Sequence, residues 1–103
     1  MSSIDQLEMA VIRWAEARRI IPRSTPQAQL CKLLEEVGEL AEGINKGKPD
    51  KIKDSIGDAL VVLIILSDLH GLSLRPCLAA AYEEIRTRRG TLGTDGIFVK
   101  EEF

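Results

Sequence analysis

KLLEEVGELAEGINKGKPDKIKDSIGDALVVL, residues 32–63, decides the fold, because it reads as two amphipathic helices with a turn between them. Before the turn, Leu33, Leu34, Val37, Leu40, Ala41 and Ile44 recur at steps of one, three and four, which is the apolar stripe of a helix. Gly47 stops that helix, and Pro49 with Asp50 opens the next. So short a turn makes the two helices antiparallel neighbours. The run ALVVLIIL, Ala59 to Leu66, is apolar all the way round, and a helix with no polar face has to be covered on every side.

Outward from this hairpin the pattern stays helical. Upstream, Ser24 is expected as the N-cap with Pro26 in the first turn, the helix then running to about Lys46. Before it, Ile4, Leu7, Val11 and Trp14 mark a first helix that ends near Ile20, with Pro22 blocking continuation. Downstream, the third helix continues to about His70 and ends at Gly71. Ser73 is expected to cap a fourth, in which Leu74, Leu78, Ala81 and Ile85 share one side. After Gly90 the composition turns glycine-rich, then β-prone at Ile97, Phe98 and Val99, which predicts an extended tail packed on the bundle or on a neighbour. The expectation is an all-α, single-domain four-helix bundle over residues 1–103 with a short extended C-terminal tail. Three other helices can hardly cover the apolar third helix alone, so a homo-oligomer, dimer or tetramer, is expected with that helix near the interface.

Composition narrows the function classes. With 45% hydrophobic and 29% charged residues among 103, the chain is too apolar for disorder. A net charge of -2 and a pI near 5.4 disfavour a nucleic-acid partner, which needs a dense cationic surface. Only Arg86, Arg88, Arg89 and Lys100 form a basic cluster. No apolar run approaches the roughly 20 residues of a membrane span, and MSSIDQLEMA lacks the pattern of a signal peptide. Cys31 and Cys77 stand alone and are expected to be reduced core residues. A cytoplasmic location is expected.

Carboxylates carry the chemistry. Glu36 and Glu39 stand one turn apart on the second helix, with Glu36 at the margin of the apolar stripe. Asp54 and Asp58 share a face of the third helix, Asp58 at the threshold of the apolar run, where an unpaired carboxylate is partly desolvated. Glu36 lies eleven residues before Gly47 and Asp58 eleven after it, so antiparallel packing brings them level. Repulsion between such groups is offset by a hard divalent cation, which takes carboxylate oxygens and keeps several waters. Ordinary pairing is the competing expectation: Lys32 with Glu36, and Lys51 and Lys53 with Asp54 and Asp58. The lone His70 at a helix end disfavours the Glu-x-x-His iron pattern, and an all-oxygen set suggests magnesium or manganese.

Residues 32–63 resemble the MazG-like nucleotide pyrophosphohydrolases, an all-α superfamily marked by E-x-x-E and, on the next helix, E-x-x-D. Glu36 and Glu39 match the first motif and Asp58 the last aspartate of the second. The ending R-x-R-R-G…G-I-F-V-K-E-E resembles a short phage and bacterial group of the same kind, so the likeness covers about residues 25–103. Where the family has the glutamate of E-x-x-D, this chain has Ser55. Either Asp54, one turn before Asp58, supplies the fourth ligand, or three carboxylates hold the metal more weakly.

The resemblance implies hydrolysis of nucleoside triphosphates between the α and β phosphates, to nucleoside monophosphate and pyrophosphate, with Mg2+ or Mn2+ on Glu36, Glu39, Asp58 and Asp54. Glu35 or Glu39 would accept a proton from the attacking water. Lys32, Arg86, Arg89 and Lys100 are the candidates for contact with the triphosphate. Their ordinary roles are an ion pair for Lys32 and helix-end cations for the arginines. The alternative is a non-catalytic helical oligomeric adaptor that keeps the fold after loss of a ligand at Ser55.

Overall fold

The computed structural model describes residues 2–101. It consists of α1 (Ile4–Ala17), α2 (Ile20–Arg23), α3 (Pro26–Asn45), α4 (Pro49–Leu69), α5 (Leu74–Ile85) and two short strands, β1 (Gly90–Leu92) and β2 (Phe98–Lys100). The bundle is all-α as expected. The first helix ends at Ala17, three residues before the expected Ile20, a further single turn, α2, follows it and contains Pro22, and the fourth ends at Ile85.

Local chemistry sets the boundaries. At the start of α1 the Ser3 hydroxyl accepts from the Gln6 N–H at 3.1 Å while the Gln6 side chain accepts from the Ser3 N–H at 2.8 Å, a reciprocal cap. The cap of α3 is Thr25 rather than the expected Ser24. Thr25 Oγ1 accepts from the Ala28 N–H at 3.1 Å, whereas the Ser24 hydroxyl is engaged by the Gln29 amide at 2.9 Å. Both ends of the central hairpin close alike. Lys48 N–H donates to the Gly43 carbonyl (2.9 Å) and Gly47 N–H to Ile44 (3.2 Å); Leu72 N–H donates to Ser67 (2.8 Å) and Gly71 N–H to Asp68 (2.9 Å). That pattern needs a left-handed residue after the helix, supplied by Gly47 at φ +61 and Gly71 at φ +70.

α4 is the central element, packed against α3 along its length and against α1, α2 and α5 elsewhere. The core is thin: Ala15, Ile21 and Ile65 form its buried centre, with Val11, Ile12, Ile20, Val61 and Leu69 around it. Ser73 occupies the N-cap position of α5 but makes no side-chain bond there. Instead the buried Glu8 of α1 accepts from the Leu74 N–H at 2.8 Å, and Asp5 pairs with Arg75 at 2.8 Å, so α1 holds the start of α5.

Two expectations are corrected. Cys31 and Cys77 are free but exposed, because each lies on the outer face of its helix rather than on the stripe that packs. The tail is not a lone extended segment: β1 and β2 pair antiparallel, Thr91 opposite Val99, around a turn in which Asp95 Oδ1 accepts from the Ile97 N–H at 3.0 Å. This hairpin packs essentially on itself and both strands are exposed. No single helix among the described residues is long and apolar enough to cross a membrane.

Candidate active site

The register of α3 against α4 is fixed by Gly43. A Cβ there would meet the Lys51 stem at 3.2 Å and Ile52 at 3.3 Å, so the helices touch where glycine leaves room. Seven residues back along α3 from Gly43 is Glu36, and seven forward along α4 from Lys51 is Asp58. Each step of seven is two turns, about 10.5 Å of axis, so Glu36 and Asp58 are level. Glu36 and Gly43 are the buried residues of α3, which places Glu36 on the side of the helix–helix contact. On α4, Ser55 is 3% exposed, one turn on from Ile52. At about 100° per residue, Glu35, Glu39 and Glu42 stand on one flank of the contact line of α3, and Asp54 and Asp58 on one flank of α4. Antiparallel helices wind in opposite senses to a common observer. These two flanks therefore lie on the same side of the hairpin.

Lysines occupy that side. Lys51 Nζ lies 3.0 Å from Glu39 Oε2 and 3.0 Å from Glu42 Oε2. Lys46 is 2.8 Å from Glu42. Lys32 reaches both Glu35 (3.4 Å) and Glu36 (3.5 Å), the expected ion pair among them. The Lys46 ammonium, then that of Lys51, pulls the Glu42 carboxyl down to about 2 from its ordinary 4.5. Glu42, then Glu39, raises Lys51, and Glu35, then Glu36, raises Lys32. The expectation that Lys51 and Lys53 neutralise Asp54 and Asp58 does not hold: Lys51 crosses to α3, and among the described residues neither aspartate makes an ion pair. With the carboxylates turned onto lysines, no three Asp, Glu, His or Cys side chains among the described residues converge closely enough to enclose an ion. The donor set is nonetheless all oxygen, on two rigid helices and level across the contact, which suits a hard divalent cation once the side chains turn.

The basic cluster is not assembled at this face by any internal contact. Arg86 pairs with Glu83 at 3.0 Å, Arg89 faces Glu101 at 3.9 Å, and Lys100 is exposed on β2. Trp14 is not core: it is 44% exposed, with the Arg18 guanidinium 4.6 Å over its ring. Glu8 escaped sequence reasoning, although a carboxylate one residue after Leu7, on the seam of an amphipathic helix, was a signal for it. An apolar groove of about 710 Å³ also runs between α1, α4 and α5, lined by Leu7, Val11, Leu60, Ile64, Leu78 and Tyr82 among others.

An all-α hairpin carrying Glu36 and Asp58 level across two helices, with Glu39 one turn on, defines a class, and comparison with known proteins gives the family. Residues 24–92 match the MazG nucleotide pyrophosphohydrolase domain, and the chain belongs to that family. It is 52% identical over 67 residues to an uncharacterized 18.2 kDa protein of the rep-hol intergenic region of Haemophilus phage HP1 (strain HP1c1). That match takes in 65% of this chain but only 41% of the phage protein. Among solved structures it is similar to the cyanophage S-2L MazG-like pyrophosphohydrolase bound to dGDP and three catalytic Mn2+ ions per active site. The TM-score is 0.73 at 22% identity, over 99% of this chain and 100% of that one. The likeness is one of fold.

Proposed function

We propose that this chain is a cytoplasmic, homo-oligomeric hydrolase. It cleaves nucleoside triphosphates between the α and β phosphates, giving nucleoside monophosphate and pyrophosphate, and it depends on Mg2+ or Mn2+. The observation that carries the reading is the level placement of Glu36 and Asp58, with Glu39 on the same side of the hairpin. The dGDP and Mn2+ bound by the cyanophage protein of the same fold support it. Glu36, Glu39 and Asp58 would hold the metal, with Asp54 as the fourth donor in place of Ser55. When bound, the ion neutralises phosphate charge and makes water a competent nucleophile near neutral pH. Glu35 is the carboxylate left to take the proton, or Glu39 where the metal does not engage it fully. Lys32, released from Glu35 and Glu36 as they turn to the metal, would face the phosphates. Arg86, Arg89 and Lys100 would reach the triphosphate only by movement of the hairpin tail or from another subunit.

Pyrophosphate release from a panel of ribo- and deoxynucleoside triphosphates, with and without Mg2+ or Mn2+, tests the reading in wild type and Glu39→Gln. Metal-dependent release that the substitution abolishes is expected. The buried Ser55, at the place where the family motif has a glutamate, favours one other reading: a helical adaptor without turnover. Absence of release from every nucleotide, with the fold intact, would select it.

A further inference from the structure

The net charge of -2 disfavours a nucleic-acid partner only where the charge is spread evenly, and here it is not. Arg13, Arg18, Arg19 and Arg23 fall in one short stretch with a single carboxylate, Glu16. Residues 13–23 therefore carry a charge of +3 and leave the rest of the chain at -5. All four arginines are exposed, and among the described residues none of them makes an ion pair. They issue from one corner of the fold: Arg13 near the end of α1, Arg18 at its C-cap, Arg19 at the bend and Arg23 at the end of α2. Trp14 stands among them, 44% exposed although the Arg18 guanidinium lies 4.6 Å over its ring. Of its other helical neighbours, Val11 packs on the core and Ala10 and Ala17 are small, so the outer side of the ring is open. At about 100° per residue, Glu16 lies about 160° round α1 from Trp14. Arg19 has φ +61, a conformation that glycine adopts without strain, so the cation there is held at a conformational cost.

We propose that this corner binds single-stranded nucleic acid, one base extending the Trp14–Arg18 stack while Arg13, Arg19 and Arg23 take neighbouring backbone phosphates. A single strand is the partner because a base has to leave its own stack to reach the ring, which an intact duplex does not allow. A membrane surface would need a broad apolar face beside the cations, and Trp14 is the one large apolar side chain exposed in this stretch. The corner packs through Ala15 and Ile21 on Ile65, two turns along α4 from Asp58. It draws on none of the carboxylates, so it stands or falls apart from the proposed hydrolysis.

Trp14 is the only tryptophan of the chain, so its emission reports this corner alone. The test titrates the protein with a twelve-nucleotide thymidine oligomer in EDTA, over a series of salt concentrations. Quenching of Trp14 is expected, with log K falling against log[salt] at a slope of about -2.8 if all four arginines meet phosphates. Arg13→Gln and Arg19→Gly should each reduce that slope by about 0.7. Arg19→Gly also relieves the backbone, so it should keep a melting temperature close to that of wild type while binding more weakly. Trp14→Leu, followed by the anisotropy of a labelled oligomer, should bind about fivefold more weakly or worse. Arg88→Gln, in the other basic cluster, should bind as wild type does. Should Trp14→Leu fail to fold, the salt slopes of wild type and Arg19→Gly still decide. Absence of quenching, quenching that salt does not weaken, or wild-type binding by both Arg13→Gln and Arg19→Gly would overturn the proposal. A blue shift with phosphatidylserine vesicles but no response to the oligomer would give the corner to a membrane surface instead. Quenching by thymidine triphosphate with Mn2+, but not by the oligomer, would give it to the proposed active site.

Discussion

Lys51 is a tethered cation in the place where the proposed metal would draw on Glu39. Its stem passes through the space left by Gly43, and its ammonium sits 3.0 Å from both Glu39 and Glu42. A divalent ion on Glu39 must displace that contact and then lie within about 6 Å of a like charge. At a water-like dielectric, a double and a single charge at that distance repel by enough to change an equilibrium about tenfold. Lys51→Met keeps an apolar stem at Gly43 and removes the charge. The expected result is Mn2+ binding about tenfold tighter than wild type, measured by calorimetric titration or by the paramagnetic signal of free Mn2+, at pH 7.5 and low salt. The gain should shrink in 0.5 M salt, because the groups are part-exposed and screened. Equal or weaker binding by Lys51→Met at low salt would refute the competition. If metal affinity were unchanged and KM for the nucleotide rose, Lys51 would be a phosphate contact instead.

Three further outcomes follow from the same geometry. Glu8→Leu leaves the Leu74 N–H without its acceptor at the start of α5. It should cost about 1–2 kcal/mol and lower the melting temperature by about 5–15 °C, while Glu8→Gln, which can still accept, restores most of it. Because the Glu42 carboxyl is held down at about 2 from 4.5, its stabilising effect is complete above about pH 4.5 and is lost as pH falls towards 2. Urea midpoints at low ionic strength should show that acid limb flattened in Glu42→Gln, with a small amplitude, since these ion pairs are solvent-exposed. Ser55→Glu buries a carboxylate between α3 and α4 at a site now 3% exposed. Its melting temperature should fall by more than about 5 °C without metal and recover with millimolar Mn2+; a loss that Mn2+ does not reverse would place residue 55 outside the metal's reach.

The hairpin was legible because its ends are written in local chemistry. Gly47 and Gly71 supply left-handed residues and Pro49 a preset helical start, none of which depends on distant contacts. A turn that short also fixes which residues come level, so Glu36 and Asp58 follow from counting. Choices between near-equal local options were not legible. Ser24 and Thr25 both cap well, and the Gln29 side chain decides between them. Lys51 has acidic candidates on its own helix and on α3, and only the Gly43 contact directs it across. The exposure of Cys31, Cys77 and Trp14 depends on which apolar stripe finds a partner, which periodicity alone does not rank. In the tail, Gly90 shows why one strand became two: it lies against the Val99 carbonyl and the Phe98 ring, a fit that only a residue without a side chain allows.

One helical period gives α3 both of its flanks: steps of three and four from Glu35 collect Glu39 and Glu42, and the same steps from Leu30 collect Leu34, Val37 and Ile44. α4 repeats the division with Asp54 and Asp58 against Ile56 and Leu60. Such a hairpin is not covered within its own chain: α1 and α5 leave Leu30, Leu34, Val37 and Ile44 of the apolar flank exposed. Nor can it be covered from both flanks, because burying five carboxylates without compensating charge costs far more than the apolar contact returns. The proposed cation on the carboxylate flank would supply that compensating charge. Ser55 lies on the line between the flanks, where a glutamate would be enclosed by the helix contact itself. Its small side chain fits the closed helix contact, and Asp54, on the open flank, is the carboxylate proposed in its place.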